Sequence, residues 1–523
     1  MRDDALTRWI RRLCALALAL AALMAAVAVI WTVTRRTGTD QPEEHAAVNV
    51  SVDSTGLFRV YTGTLTSADG GQVPLTESGV PTLLLFWSSW CGDCEDYLSG
   101  GVEAAFAQAE ALGARAWLVC RGGRRGENWD SAKKALIAHG VARETLMDEG
   151  AVLFEAMGLR SVPSIVLLDG DGQLVLATTK MPDAAGVTAM LERVSQGAAA
   201  QTGAFVRANL LTEEGGAAAT YRVGADGVAA ENLALSETQG LVLEWALLRD
   251  DQALFDRTMN YIRSALTVNG LCAWQVENGT RGEVNASLDD LRIVASLLEA
   301  EERWGGYREE IAVREAALYN ACVRGDGLLA DYAVLEDGFP LGGVTLCYLD
   351  VAALTRLADY AERWQPVRDK AVELLQNGVI SEEFPLYYPR YDPDSASYTG
   401  EQLQMNEAMV AVLNACRAGL AVDATLDWLE ERLREGPLYA VYTTAGEVVP
   451  GYQYESTASY ALLAQAAMAA GRDELARLAL GRLEQRRCYE APLVGDYGQL
   501  IDGRHYAFDI MEALLCWEAA ERR

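Results

Sequence analysis

Hydrophobic and polar positions fall into three regimes along the chain. Residues 13–33, LCALALALAALMAAVAVIWTV, form an apolar run without a charge, long enough to cross about 30 Å of hydrocarbon as a helix. Arg2, Arg8, Arg11 and Arg12 precede it and Arg35 and Arg36 follow it. The balance predicts an uncleaved single-pass anchor in the cell membrane, with residues 1–12 as a cytoplasmic tail and the bulk of the chain extracytoplasmic. Residues 34–47 are polar and rich in breakers, which predicts a short stalk.

From Val48 to residue 197 the pattern is that of alternating strands and helices. PTLLLFWSSW (81–90) and ARAWLVC (114–120) are continuous apolar runs of strand length, and SIVLLDG (164–170) and QLVLAT (173–178) add two more around a Gly-rich turn. Between them, periodic segments predict helices over 93–112, 129–139, 151–157 and 184–195. This order predicts an α/β sandwich with helices on both faces. QGAAAQTG (196–203) reads as a linker.

Beyond residue 204 apolar residues recur at three-and-four spacing. Helices are expected to begin near 205, 235, 251, 287, 307, 344, 364, 403, 424, 455, 473 and 504, in pairs that repeat roughly every 50 to 60 residues. Six such pairs can close into an α/α toroid. The formal net charge of -30 argues against nucleic acid as a partner, because phosphate backbones are held by clustered Lys and Arg. Neutral sugars and proteins remain open. With 3 His in the chain and no Cys/His cluster at ligand spacing, no metal site is expected.

Of 10 cysteines, only Cys91 and Cys94 have a diagnostic spacing. Trp90-Cys91-Gly92-Asp93-Cys94 places the first sulfur at a helix N-terminus, where free N–H groups and the helix dipole favour thiolate. Cys94, one turn on, is placed to resolve a mixed disulfide. FWSSWCGDC and SVPSIVLLDGDG, about 70 residues apart, resemble membrane-anchored thioredoxin-like proteins of the TlpA/ResA kind. The resemblance implies that Cys91 attacks, Cys94 resolves, and Pro163 is the cis proline of the partner-binding groove. It implies an envelope thiol/disulfide protein as partner. Leu85 stands where thioredoxin has a buried acid and Asp93 where it has proline, which implies a slower, specialised exchanger.

In the helical half, Glu237, Asp290, Asp350, Glu407, Glu455 and Asp509 each fall near the start of every second helix. Acids also cap helices there, by satisfying free N–H groups. LSETQGLVLEWALLRDDQALFDRTMNYI, GLCAWQV and NASLDDLRIVASLLEAEERWG resemble glycoside hydrolase family 8 and its exopolysaccharide-degrading relatives. The resemblance implies a multidomain chain: the membrane helix, a thioredoxin-like domain over 48–197, and an all-α (α/α)6 toroid over 204–523 that hydrolyses a β-linked polysaccharide with inversion. It implies Glu237 as general acid and Asp290 as a substrate-binding acid. Glu407 is the candidate base, with Glu401 and Asp289 as alternatives. Trp274, Tyr348 and Tyr454, together with Tyr332, Tyr387, Tyr388, Tyr452 and Tyr506, are candidates for stacking on sugar rings. No organic cofactor is needed for either chemistry.

Overall fold

The computed structural model describes residues 48–523 apart from Gln499 and Asp502. The predicted anchor at 13–33, with its tail and stalk, lies outside the described residues. Among the described residues no helix is long and apolar enough to cross a membrane.

The first domain is built on a seven-stranded sheet. Its strands in chain order are β1 (Thr64–Thr66), β2 (Gln72–Pro74), β3 (Thr82–Trp87), β4 (Arg115–Arg121), β5 (Thr145–Asp148), β6 (Ser164–Leu168) and β7 (Leu174–Thr178), ordered β2-β1-β5-β4-β3-β6-β7 across the sheet. The central β3, β4 and β5 are parallel, and β6 runs antiparallel to β3. Every residue of β3 is buried. Leu83, Leu85 and Trp87 pack on one face, whereas Leu84 and Phe86 pack on the other. That two-sided burial is why the strand reads as an unbroken apolar run.

One face carries the helices α1 (Gly92–Gly100), α2 (Val102–Ala111), α3 (Trp129–Ala138) and α5 (Ala184–Gln196). The short α4 (Val152–Ala156) packs on the other. The single helix expected over 93–112 is two helices, broken at Gly101, where a Cβ would lie 2.6 Å from the Tyr97 ring.

Helices α6 (Ala198–Asn209), α7 (Ser236–Arg249), α8 (Gln252–Tyr261), α9 (Ser287–Arg303), α10 (Arg308–Cys322), α11 (Val351–Tyr360), α12 (Gln365–Asn377), α13 (Met405–Arg417), α14 (Asp423–Glu435), α15 (Thr457–Ala469), α16 (Asp473–Glu484) and α17 (Ala507–Glu521) form the second domain. The inner helices α7, α9, α11, α13, α15 and α17 each pack on the next, and α17 returns to α7, so the ring is closed. Inner helices such as α15, TASYALLAQAAMA, are apolar almost all round and buried on nearly every side. Outer helices keep a polar face.

The expected linker at 196–203 is corrected: Gly197 alone separates α5 from α6. The Ala-rich stretch propagates a helix because its small side chains fit beneath α17. Gly197 has a positive φ of 89°, and a Cβ there would lie 2.8 Å from the Glu521 carboxylate, which accepts the Ala198 N–H at 2.5 Å.

The repeat is also written in the main chain. After successive outer helices a tight hairpin is closed by Ala218 N–H to Leu210 C=O, Ala273 to Leu266, Ala330 to Cys322 and Tyr388 to Gly378, at 2.8–2.9 Å. The residue that follows each hairpin then offers its carbonyl to the start of an inner helix, or to the 3-10 turn that precedes α11: Ala219 to Ala507, Trp274 to Ser236, Asp331 to Ser287 and Pro389 to Leu346, at 2.8–3.0 Å. Trp274 and Asp331 therefore occupy equivalent places on the rim that carries the inner-helix N-termini.

The two domains share an extensive seam. Phe58 stacks on Trp517 with centroids 6.5 Å apart, and Arg193 lies over the same indole at 5.1 Å. Arg59 pairs with Glu474 at 3.3 Å, and Arg160 donates to the carbonyls of Arg434 and Glu435 at the end of α14. Tyr489, from the connection after α16, is buried in the core beneath α5. A cavity of about 660 Å³ remains between β7 and α16.

Candidate active sites

In the α/β domain, Ser88 and Ser89 carry the chain from β3 to Trp90 and Cys91. Glu127 braces this turn, accepting both the N–H and the hydroxyl of Ser89 at 2.8 Å. Cys91 is the N-cap of α1, and its sulfur accepts the Cys94 N–H at 3.2 Å. The two sulfurs are joined in a disulfide. Cys91 Sγ lies 3.4 Å from the Val162 carbonyl oxygen, and the Val162–Pro163 peptide is cis. Cys91, Cys94 and the Pro163 loop are thus brought together. Leu85 is buried in β3, two residues from Trp87. Glu127 is the acid that sequence pattern did not single out; its place in a loop 36 residues beyond Cys91 left no periodic signal.

In the toroid the six acids divide into two groups. Asp350 caps α11, accepting the Ala353 N–H at 3.0 Å, and Asp509 accepts the Ala458 N–H at 2.9 Å. Glu455 accepts the Tyr460 hydroxyl at 2.5 Å. Asp290 accepts the Cys272 N–H at 3.0 Å and the Asn285 amide at 2.8 Å, with the buried Arg314 nearby. Asp290 is therefore corrected from a sugar-binding group to a buried brace that ties α9 to the Cys272 hairpin and the Asn285 loop. Burial pushes its carboxyl up to about 6, against those hydrogen bonds.

The neighbouring Asp289 takes the place expected of Asp290. A helix turns about 100° per residue, so adjacent acids cannot share a face. Asp289 Oδ2 accepts the Ser236 hydroxyl at 2.6 Å, and the carboxylate also accepts the Glu237 N–H. Glu237, the second residue of α7, stands next to it with no hydrogen bond to its own carboxyl among the described residues. Burial first, then the charge of Asp289, pushes Glu237 up to about 8, while Arg292 opposes. Burial also raises Asp289, but Arg292 and Ser236 favour its ionised form. Both carboxyls of the pair are thus raised by burial, with Arg292 opposing the rise in each.

Tyr348 lies within the electrostatic reach of Asp289, Asp331 and Glu237, and burial raises its hydroxyl. Asp331, on the rim, is held by the N–H and hydroxyl of Thr345 at 2.6 and 3.0 Å. Glu407, third residue of α13, is exposed, beside Cys347, Tyr388 and Pro389. Its proton affinity is raised by burial, lowered by Arg390 and raised again by Asp331. Its charged neighbours are Arg390 and Asp331, not the Glu237–Asp289 pair. Glu401 is exposed on the loop before α13.

Among the aromatics, Trp274, Tyr332, Tyr452 and Tyr454 are exposed, and the last two rings lie 6.2 Å apart. Tyr387 is buried and drops out as a stacking group. Tyr388 is spent on Tyr398, with centroids 5.7 Å apart.

Removing Asp290 tests its new assignment. Asp290→Ala leaves the buried Cys272 N–H and the Asn285 amide short of a partner, at a cost of about 1–3 kcal/mol. Thermal unfolding is expected to show the loss, with KM for glycan little changed in the folded fraction.

Comparisons with known proteins agree with this architecture. Residues 183–422 match the model of Glycosyl hydrolases family 8, and residues 73–195 match that of a Thioredoxin-like domain. The chain carries a thioredoxin-like domain followed by a glycosyl hydrolase family 8 domain. YdaJ of Bacillus subtilis (strain 168) is 26% identical over 236 residues, covering 44% of this chain and 63% of YdaJ. Endoglucanase A of Acetivibrio thermocellus is 29% identical over 158 residues, covering 27% of this chain and 32% of the endoglucanase. The chain thus spans less than two thirds of either relative's length. Among solved structures, a novel alpha-amylase from Clostridium perfringens is 25% identical with a TM-score of 0.56, covering 61% of this chain and 96% of that one.

Proposed function

We propose that the toroid hydrolyses a polysaccharide by an inverting, two-carboxylate mechanism, with Glu237 as general acid and Glu407 as general base. The observation that carries this reading is the placement of Glu237 itself: its carboxyl stands beside Asp289 with no hydrogen bond among the described residues, and burial and the charge of Asp289 both raise its proton affinity. An acid of that kind donates its proton to the leaving glycosidic oxygen. Asp289 and Tyr348 then contact the sugar beside the scissile bond, and the exposed rings of Trp274 and Tyr454 stack on neighbouring units. Burial raises the proton affinity of Glu407, and Arg390 opposes that rise in favour of the carboxylate that would activate water.

A β-linked glucan is the first substrate to try, in keeping with the endoglucanase relative. An α-linked glucan is the second, since a structural relative with a TM-score of 0.56 is named an alpha-amylase. The test is release of reducing ends by the full-length chain from β-1,4-glucan, mixed-linkage β-glucan, bacterial exopolysaccharide and starch, with the product anomer read by proton NMR. Inverted product from one of these is expected, and no release from any of them refutes the hydrolase. Azide should rescue Glu407→Ala and yield a glycosyl azide; rescue of Asp331→Ala or Asp350→Ala instead would move the base.

The thioredoxin-like domain, in the same proposal, exchanges thiols and disulfides with a protein partner outside the membrane, to which residues 13–33 tether the chain. Its support is the placement of Cys91 at a helix N-cap beside the Pro163 loop.

A further inference from the structure

The centre of the toroid holds a cation that glycan chemistry does not itself require. Arg292 lies on α9, three residues after Asp289, and so shares its face of the helix. Its side chain crosses to α7, where Nε pairs with Glu244 Oε1 at 3.0 Å. The crossing depends on Gly240, three residues after Glu237: a Cβ at Gly240 would lie 2.8 Å from Arg292 Cδ and 3.3 Å from Cγ. The side chain is only 12% exposed, and Nη1 is buried without a hydrogen-bond partner.

The groups that face this guanidinium come from three helices. Glu237 and Glu244 lie on α7, Asp289 on α9 itself, and Glu512 on α17. Glu512 in turn accepts from Gln465 on α15 at 3.0 Å and feels Arg417 on α13. Asp509 of α17 and the hydroxyl of Tyr348 also act on Glu237. Four carboxylates therefore converge on Arg292. Among the described residues Glu244 forms the close ion pair with it, and its remaining positive field is shared by Glu512 and the two acids at the mouth, Asp289 and Glu237.

We propose that Arg292 is a positioning residue that divides one proton between Glu237 and Asp289, holding Asp289 ionised while keeping Glu237 weak enough an acid to stay protonated and strong enough to release its proton. Without a cation beneath them, two adjacent carboxyls, Asp289 buried and Glu237 half-buried, would both be driven towards the neutral form. Asp289 would then lose the charge that faces the sugar, and Glu237 would hold its proton too tightly to donate it. Gly240 is part of the device, because any side chain there occupies the path of Arg292.

This inference rests on the reading of Glu237 as general acid, and its test has a readout that does not depend on turnover. The full-length chain is labelled with 13C at Glu and Asp carboxyls, the Glu237 signal is assigned from its loss in Glu237→Gln, and the signal is titrated in each variant. Arg292→Met is expected to move the Glu237 midpoint upward by about one pH unit or more, the size typical of removing an adjacent opposite charge. Gly240→Ala is expected to move it in the same direction. Alanine is a better helix former than glycine, so Gly240→Ala keeps the assay decisive should Arg292→Met fail to fold. Arg292→Lys keeps the charge and should shift the midpoint least.

Where turnover is measured, the alkaline limb of the kcat profile, set by Glu237, should rise in pH while the acid limb, set by Glu407, stays in place, whereas simple structural damage lowers kcat without moving either limb. An unmoved Glu237 midpoint in Gly240→Ala, or in folded Arg292→Met, overturns the proposal. A Glu237→Gln chain as active as wild type overturns instead the reading on which it rests, and the titration reports separately.

Discussion

Glu237→Gln is expected to lower kcat for glycan hydrolysis by about 10²–10⁴-fold, with KM changed far less. The amide is nearly isosteric and keeps the polar contact with substrate, so what is lost is the proton. In the wild-type chain that proton must be present for turnover. Because burial and Asp289 push Glu237 up to about 8, the protonated fraction is high below that value and falls as pH rises through it. Activity should accordingly fall on the alkaline side near pH 8. In Glu237→Gln the limb disappears, because the amide does not titrate. The loss should also depend on the leaving group: a substrate that departs as a stabilised phenolate needs little protonation, so an activated aryl glycoside is expected to lose much less than the polysaccharide. Equal losses on both would show that the substitution disturbed binding rather than proton transfer.

Cys91→Ser is expected to abolish dithiol–disulfide exchange, and Cys94→Ser to accumulate a mixed disulfide with a partner. Cys91 is 8% exposed and Cys94 1%, so only Cys91 can be reached first by an incoming sulfur. As N-cap of α1, Cys91 receives the Cys94 N–H, a hydrogen bond that favours thiolate in the reduced pair. Without Cys94 the mixed disulfide has no internal nucleophile to release it. Insulin reduction measures the first effect, and non-reducing electrophoresis of the full-length chain with envelope extract measures the second. A Cys91→Ser chain that still reduces insulin, or a Cys94→Ser chain that traps nothing, would leave the pair as a structural disulfide. Glycan hydrolysis should be indifferent to Cys91→Ser if the two sites act independently.

Much of the architecture was legible before any coordinates. Strand β3 announced itself because burial on both faces demands an unbroken apolar run, and α7 and α9 because their stripes recur at helical spacing. The short strands β1, β2 and β5 carried no such signal. β5, Thr145–Asp148, owes its place to pairing with β4, a contact some 27 residues away in the chain. Residues 196–203 read as a linker because Ala and Gly are ambiguous in isolation: alanine favours helix wherever a neighbour covers it, and α17 covers it here.

The candidate site shows the same division. Glu237 was visible in SETQG, and Cys91 and Cys94 in WCGDC, because chemistry there depends on residue type and local spacing. Asp289 and Asp290 were not separable, since the phase of α9 is set by what packs on it. Arg314, Asn285 and the Cys272 N–H claim Asp290, and Ser236 claims Asp289. Polar residues at Asp289, Arg292 and Ser296, at helical spacing within an otherwise apolar stretch, were the available clue.

What the sequence determined by itself is therefore the order of elements, the sixfold helical repeat and the two sets of reactive residues, because periodicity, capping and motif spacing are local properties. Tertiary structure alone decided which acids are braces and which stand free, that Tyr489 completes the core of the other domain, and that Arg292 lies beneath the Glu237–Asp289 pair. Closing the ring brings α17 back to α7, more than 250 residues apart, and no local pattern encodes the charges that meet there.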